Sequence, residues 1–278
     1  MERTAHESAA AATPAAFHAP RLGASPVAWH AGLAPLTAPL PHFRRPIARR
    51  LCRVLMLTMG QLVAVEHRER LAAVPEPAIF ALNHSNALEA LLAPTVLLYL
   101  RRGAPLHFLA DWMFVEAPGL GWLLRLSEPI PVYRKPARCR WREAHRRERA
   151  RRPVLDACLE HVRRGESVGI FPEGSRNRDA GRLLRGRLGL GELALRAGVP
   201  VVPVAIRYPS RPPHGRCRMV LSIGEPLDCA AERRLAAAAG PRRELARRVV
   251  DRVMSALAVQ LGREYRAGRR GGRGAEET

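Results

Sequence analysis

Residues 78–92 read AIFALNHSNALEALL, and the fold turns on how that stretch is parsed. Ala78 to Leu82 is a short apolar run behind Pro75 and Pro77, which predicts a buried strand. Four polar, turn-prone residues follow, Asn83, His84, Ser85 and Asn86. Ala87 to Leu92 then begins a helix. A strand feeding a polar turn and a helix is where an α/β sheet places its ligand, beyond the strand's carboxyl end. The turn carries an imidazole, His84, and five residues on a carboxylate, Glu89. At that spacing the carboxylate can accept one ring N–H and leave the other nitrogen as a base. Alone the pair is weak evidence, because an Asn-His turn is more often a helix cap bearing a surface histidine.

A second strand-and-turn unit lies downstream. Ser167 to Phe171, SVGIF, reads as another buried strand, and Pro172-Glu173-Gly174-Ser175-Arg176-Asn177-Arg178-Asp179 follows at once. Such a segment serves as a charged surface turn. It also suits anion binding, because glycine lets backbone N–H groups approach and guanidinium matches phosphate oxygens.

Strand and helix patterns alternate along most of the chain, which argues for an α/β layered fold. Leu106 to Ala110 and Ile130 to Tyr133 read as strands, the latter delivering Arg134 and Lys135. Gly119 to Leu126 reads as a short helix with Trp122, Leu123 and Leu126 on one face. Residues 153–164 form an amphipathic helix with proline in its first turn and glycine after its end. Residues 188–197 form another, then strands over 201–206 and 219–223, then a helix opening at Gly240-Pro241 and stopped by Gly262. The GLGELA of residues 189–194 superficially fits a dinucleotide fingerprint but follows an arginine-rich loop rather than a strand, so it is discounted.

The ends read differently. Residues 1–42 hold thirteen alanines and six prolines and predict a loosely attached arm. Residues 43–70 contain PIARRLCRVLMLTMGQLVAV, too short an apolar run to span a bilayer. Interfacial and core-packing helices both fit it. In the interfacial reading, arginines sit at headgroup level and Leu55, Met56, Met59, Leu62 and Val63 dip below. Residues 263–278, rich in Arg and Gly, predict a disordered tail.

Lys and Arg total 46 against 25 Asp and Glu, a formal charge of +21. Such a field favours polyanions: nucleic acid, an anionic membrane face or phosphorylated substrates. Residues 134–152 alone carry ten basic side chains against two acids. A solvated charge run and a headgroup-binding patch both fit that segment. No helix-turn-helix, zinc-finger or RNA-binding signature accompanies the charge, which argues against nucleic acid. The five cysteines are scattered with no Cys-x-x-Cys pair, so neither a zinc site nor a disulfide framework is indicated. A reducing compartment is the simplest setting, and the N-terminus shows no secretory signal.

Four blocks in order carry a resemblance: Asn83-His84 with Glu89, Ile130-Pro131-Val132-Tyr133-Arg134, Phe171-Pro172-Glu173-Gly174-Ser175-Arg176, and Val199-Pro200-Val201-Val202-Pro203-Val204. Together they resemble the glycerolipid acyltransferases, the 1-acylglycerol-3-phosphate O-acyltransferases and relatives. The resemblance implies a mixed sheet flanked by helices over residues 71–262, with His84 as base and Glu89 orienting it. It implies a substrate site of Arg134, Lys135, Glu173, Gly174, Ser175 and Arg176, and an acyl-chain wall, or simply core, of Val199, Pro200, Val201, Val202 and Pro203. The implied partners are an acyl thioester (acyl-CoA or acyl carrier protein) as co-substrate, a phosphorylated lipid acceptor and an anionic membrane surface. The implied location is peripheral or monotopic, on the cytoplasmic face of a membrane. No other cofactor and no metal are called for. Lysophosphatidate is the leading acceptor; glycerol 3-phosphate, another lysophospholipid, an amino-acid lipid, or a catalytically impaired lipid-binding protein are the alternatives. Glu89 stands where most members carry aspartate, and Glu128 and Pro131 depart from the usual second block.

Overall fold

The computed structural model describes residues 34–267, apart from 120, 122, 123, 125, 126, 138, 212, 214, 215 and 239. The helix expected over 119–126, with its Trp122, Leu123 and Leu126, lies largely outside the described residues. A 7-stranded sheet runs through the molecule: β1 (Val63–Glu66), β2 (Ile79–Leu82), β3 (Leu106–Asp111), β4 (Ile130–Val132), β5 (Ser167–Ile170), β6 (Val201–Arg207) and β7 (Met219–Ile223). Their order across the sheet is β1-β7-β6-β2-β5-β3-β4. Neighbouring strands pair in parallel except β6 and β7, which are antiparallel, so the sheet is mixed, as expected.

The helices are α1 (Ala34–Thr37), α2 (Pro46–Met59), α3 (Glu89–Leu100), α4 (Trp112–Val115), α5 (Arg140–Arg149), α6 (Val154–Arg163), α7 (Leu188–Ala197), α8 (Ala230–Ala237) and α9 (Arg242–Leu261). Alternating residues of the central strands face opposite ways. Phe80, Leu82, Val202 and Val204 pack with Cys52, Leu55 and Met56 of α2 and Leu92, Val96 and Leu97 of α3. Ile79, Ala81, Val201 and Ala205 pack with Leu159 of α6, Leu190 and Leu193 of α7, and Leu245, Val249 and Val253 of α9. Both faces are covered, which is why β2 and β6 read as continuous apolar runs.

Gly191 decides how α7 meets α9. A Cβ there would lie 2.0 Å from the backbone oxygen of Ala246. Gly191, one of the two glycines of the apparent dinucleotide fingerprint, therefore serves helix contact in α7.

Two expectations are corrected. Val63, read as dipping into a membrane, begins β1 and pairs in register with Met219 of β7. Leu55 and Met56 face the core, since α2 has α3 and the sheet beneath it. The described parts of the two ends, residues 34–42 and 263–267, are held against the domain. In the N-terminal arm, Leu40 is buried and the Arg53 side chain donates to the Ala38 carbonyl. At the other end Leu183 and Glu264 are joined through the backbone, and the Tyr265 hydroxyl reaches Asp251 at 2.6 Å.

Candidate active site

Strand β2 is followed directly by Asn83, whose side chain continues the ladder in place of a peptide group. Its amide donates to the Ile206 carbonyl at 2.9 Å and its oxygen accepts the Ile206 N–H at 2.6 Å. Fully buried and bonded on both sides, Asn83 fixes the point from which the next residue projects.

That residue is His84. Its Nδ1 lies 2.9 Å from Oε2 of Glu89, which has no exposed surface. The same carboxylate accepts the Ser85 N–H at 2.7 Å, the Ser85 hydroxyl at 2.8 Å and the Tyr208 hydroxyl at 3.0 Å. Burial alone would raise the pKa of Glu89, but the hydrogen bonds from His84 and Ser85 outweigh it and hold the carboxyl below its ordinary range. The group is therefore ionised and accepts a proton bond from Nδ1. The neutral imidazole then carries its hydrogen on Nδ1 and a lone pair on Nε2. The longer glutamate reaches the ring without difficulty, because Ser85 and Tyr208 hold its head from two sides. The surface-histidine alternative fails here: the side chain is only 18% exposed and the acid behind it is buried.

The turn after β5 wraps the same histidine. Glu173, itself buried, accepts the backbone N–H of His84 at 3.1 Å and that of Leu184 at 3.1 Å. Asn177 donates its N–H to the His84 carbonyl at 2.7 Å. Phe171 lies against the imidazole with ring centroids 4.5 Å apart, and Phe108 backs Phe171. Gly169 makes room for Phe108, since a Cβ there would fall 2.5 Å from its ring. Burial pushes the Glu173 carboxyl upward, only partly opposed by those N–H groups. Glu173 points inward as a brace between two turns, whereas Gly174, Ser175 and Arg176 are exposed on the outside of the loop. Gly174 adopts φ +66°, with the Arg187 side chain packed where a Cβ would sit.

Arg176 directly precedes Asn177, whose backbone N–H bonds the His84 carbonyl. Arg134 and Lys135 follow β4, three strands away from β2, or about 14 Å at about 4.8 Å per strand. Arg134 is exposed, and Lys135 is paired with Asp111 at 2.7 Å. All three lie beyond carboxyl ends of the sheet's strands, but only Arg176 belongs to a turn that is hydrogen-bonded to His84. Val201, Val202 and Pro203 are buried in β6 between β2 and β7, with Val199 and Pro200 half-buried before it. Helices cover both faces of that strand, and Val201 and Val202 pack in the core on either side of the sheet.

Burial pushes the thiols of Cys52 and Cys158 up to about 12 and that of Cys229 up to about 11. Those cysteines remain unreactive thiols at neutral pH.

A family model described as Acyltransferase matches residues 62–207, just over half of the chain. The chain belongs to the acyltransferase family. Two chloroplast proteins named 1-acyl-sn-glycerol-3-phosphate acyltransferase are similar to it. That of Brassica napus is 28% identical over 142 residues, 51% of this chain and 36% of the relative. That of Arabidopsis thaliana is 27% identical over 144 residues, 52% of this chain and 35% of the relative. The match thus spans about a third of the length of these relatives. The acyltransferase fold is also that of the 1-acyl-sn-glycerophosphate acyltransferase of Thermotoga maritima, with a TM-score of 0.50, 21% identity, and 79% of this chain and 81% of that one covered.

The sequence did not single out Tyr208. It lies two residues past Ile206, the residue bonded to Asn83, so pairing β6 beside β2 would have brought it to the acid.

Proposed function

We propose that this acyltransferase moves a fatty acyl group from an acyl thioester, acyl-CoA or acyl carrier protein, to the free hydroxyl of a lysophosphatidate-type acceptor, giving phosphatidate. The observation that carries this reading is the His84–Glu89 pair, held against the arginine-bearing turn by the Asn177–His84 backbone bond. The names of the relatives agree with it.

His84 Nε2 takes the proton of the acceptor hydroxyl as its oxygen attacks the thioester carbonyl carbon. The resulting imidazolium is stabilised by Glu89. As the tetrahedral intermediate collapses, the C–S bond breaks and the leaving thiolate receives that proton from His84. An ester and a free thiol result, with no acyl-enzyme and no cofactor beyond the thioester. Base catalysis of this kind contributes about 10²–10⁴ in rate. Arg176, on the turn bonded to His84, is the cation for the acceptor's phosphate, and Arg134 offers a second further along the edge.

We place the reaction on an anionic membrane surface, with the protein peripheral or monotopic on its cytoplasmic face. Among the described residues no helix is long and apolar enough to cross a membrane. Leu88, Met113, Phe114 and Trp141 are exposed apolar side chains at or beyond the carboxyl ends of β2, β3 and β4. Arginines of α5 surround Trp141. Apolar side chains within a basic rim suit a surface of anionic headgroups.

The test is thiol release from an acyl thioester with a panel of acceptors. Lysophosphatidate should support the highest kcat/KM. Faster turnover with glycerol 3-phosphate, or no turnover with any acceptor, would overturn the assignment.

A further inference from the structure

At the opposite edge of the sheet, where strands begin, three side chains converge that the acyl-transfer site does not use. His107 is the second residue of β3, His161 lies in the last turn of α6, and Glu166 immediately precedes β5. One ligand atom from each lies within 4.8 Å of the others. The Oε2 of Glu166 is 2.7 Å from His161 Nδ1 and 3.1 Å from His107 Nε2, and the two imidazoles stack at 3.9 Å between centroids. His107 and Glu166 are 3% and 2% exposed.

The hydrogen-bond inventory here does not close. His107 Nδ1 lies 3.0 Å from the Glu128 carbonyl, which can only accept, so Nδ1 carries the ring hydrogen. In the neutral ring Nε2 is then a lone pair turned toward a carboxylate oxygen, and it has no hydrogen-bond partner. An acceptor facing an acceptor inside a protein calls for a cation between them. The surroundings match a metal site's outer contacts. A backbone carbonyl fixes the tautomer of one imidazole, and Arg44 binds the other carboxylate oxygen, Oε1, at 2.7 Å. A cavity of about 40 Å³, lined by His107, Arg44 and Glu128 among others, lies beside the cluster. That is room for a water as a further ligand.

We propose that His107, His161 and Glu166 bind one divalent transition-metal ion of the zinc class. Two imidazoles and a carboxylate are a donor set that zinc accepts, with water completing a tetrahedron. The ion joins β3, α6 and the start of β5 at the end of the sheet remote from His84, so its role is to hold the fold rather than to take part in acyl transfer.

The experiment uses the full chain without an affinity tag, stripped with a chelator and titrated with Zn²⁺ against a chromophoric competitor. Melting temperature is followed in parallel. One equivalent should bind and raise the melting temperature, as any ligand of the native state does. His161→Ala and Glu166→Gln should each weaken that binding by at least about tenfold. His145→Ala, which removes an exposed histidine elsewhere, should leave it unchanged. His161 is partly exposed, so its variant should fold even if a His107 variant does not. Absence of stoichiometric binding would overturn the proposal, as would binding unchanged in His161→Ala and Glu166→Gln. The first result would assign the cluster to a proton shared between His107 and Glu166.

Discussion

Tyr208 donates its hydroxyl to Oε1 of Glu89 at 3.0 Å, across 119 residues of sequence. The carboxylate that orients His84 is thus held from β2's own turn by Ser85 and from the end of β6 by Tyr208. Tyr208→Phe removes one of these donors and leaves Glu89 in place. One hydrogen bond to a carboxylate is worth about 1.5 kcal/mol at a half-exposed position, which corresponds to about tenfold in kcat. The sign with pH follows from the depressed pKa of Glu89. Stability from its ionised form is present above the unfolded pKa of about 4.3 and is lost as pH falls through the lower folded value. Removing a donor raises the folded value, so the acid limb of the rate profile should move toward neutral pH. A pH–rate profile superimposable on wild type would show that Tyr208 does not position the acid.

Glu89→Asp tests whether this site is built for the longer acid. Shortening the side chain by about 1.5 Å withdraws the carboxylate from contacts on both sides, and a displacement of that size costs about 10² in rate. The aspartate variant should therefore be slower than wild type. Steady-state kinetics showing equal or faster turnover would mean that the local turn does not depend on the extra methylene.

Arg176→Ala should act on the acceptor. Loss of a charge-assisted bond of about 1.5–3 kcal/mol predicts a rise in acceptor KM of about ten- to a hundredfold, with kcat little changed. KM measured with lysophosphatidate is the check, and an unaltered value would move the phosphate site to Arg134 or another cation.

Gly191→Ala should destabilise without touching the site. The new methyl would meet the Ala246 backbone at 2.0 Å and force α7 from α9. Overpacking of this kind costs about 1–3 kcal/mol, and each kcal/mol lowers the melting temperature of a domain this size by about 2–4 °C. Calorimetry showing no change would mean that the two helices are not in contact through this residue.

What the sequence made legible was local. The strand of residues 78–82, the polar turn and the acid five residues after His84 are contiguous, and the arginine-bearing turn after residue 171 carries its own proline and glycine. Relationships across strands were hidden. Asn83 reads as a turn residue, yet its amide is spliced into β6, and only strand order brings Tyr208 to Glu89. His107 and Glu166 lie on separate elements and meet through the β3–β5 register. Val63 looked like the end of an apolar helix because a short edge strand and a helix terminus share that composition.

The central claim is that His84 is the base. Thiol release from an acyl thioester in the presence of lysophosphatidate, compared between wild type and His84→Ala at matched melting temperature, tests it most directly. The account predicts a fall in kcat of about 10²–10⁴. A folded His84→Ala protein turning over at the wild-type rate would contradict it.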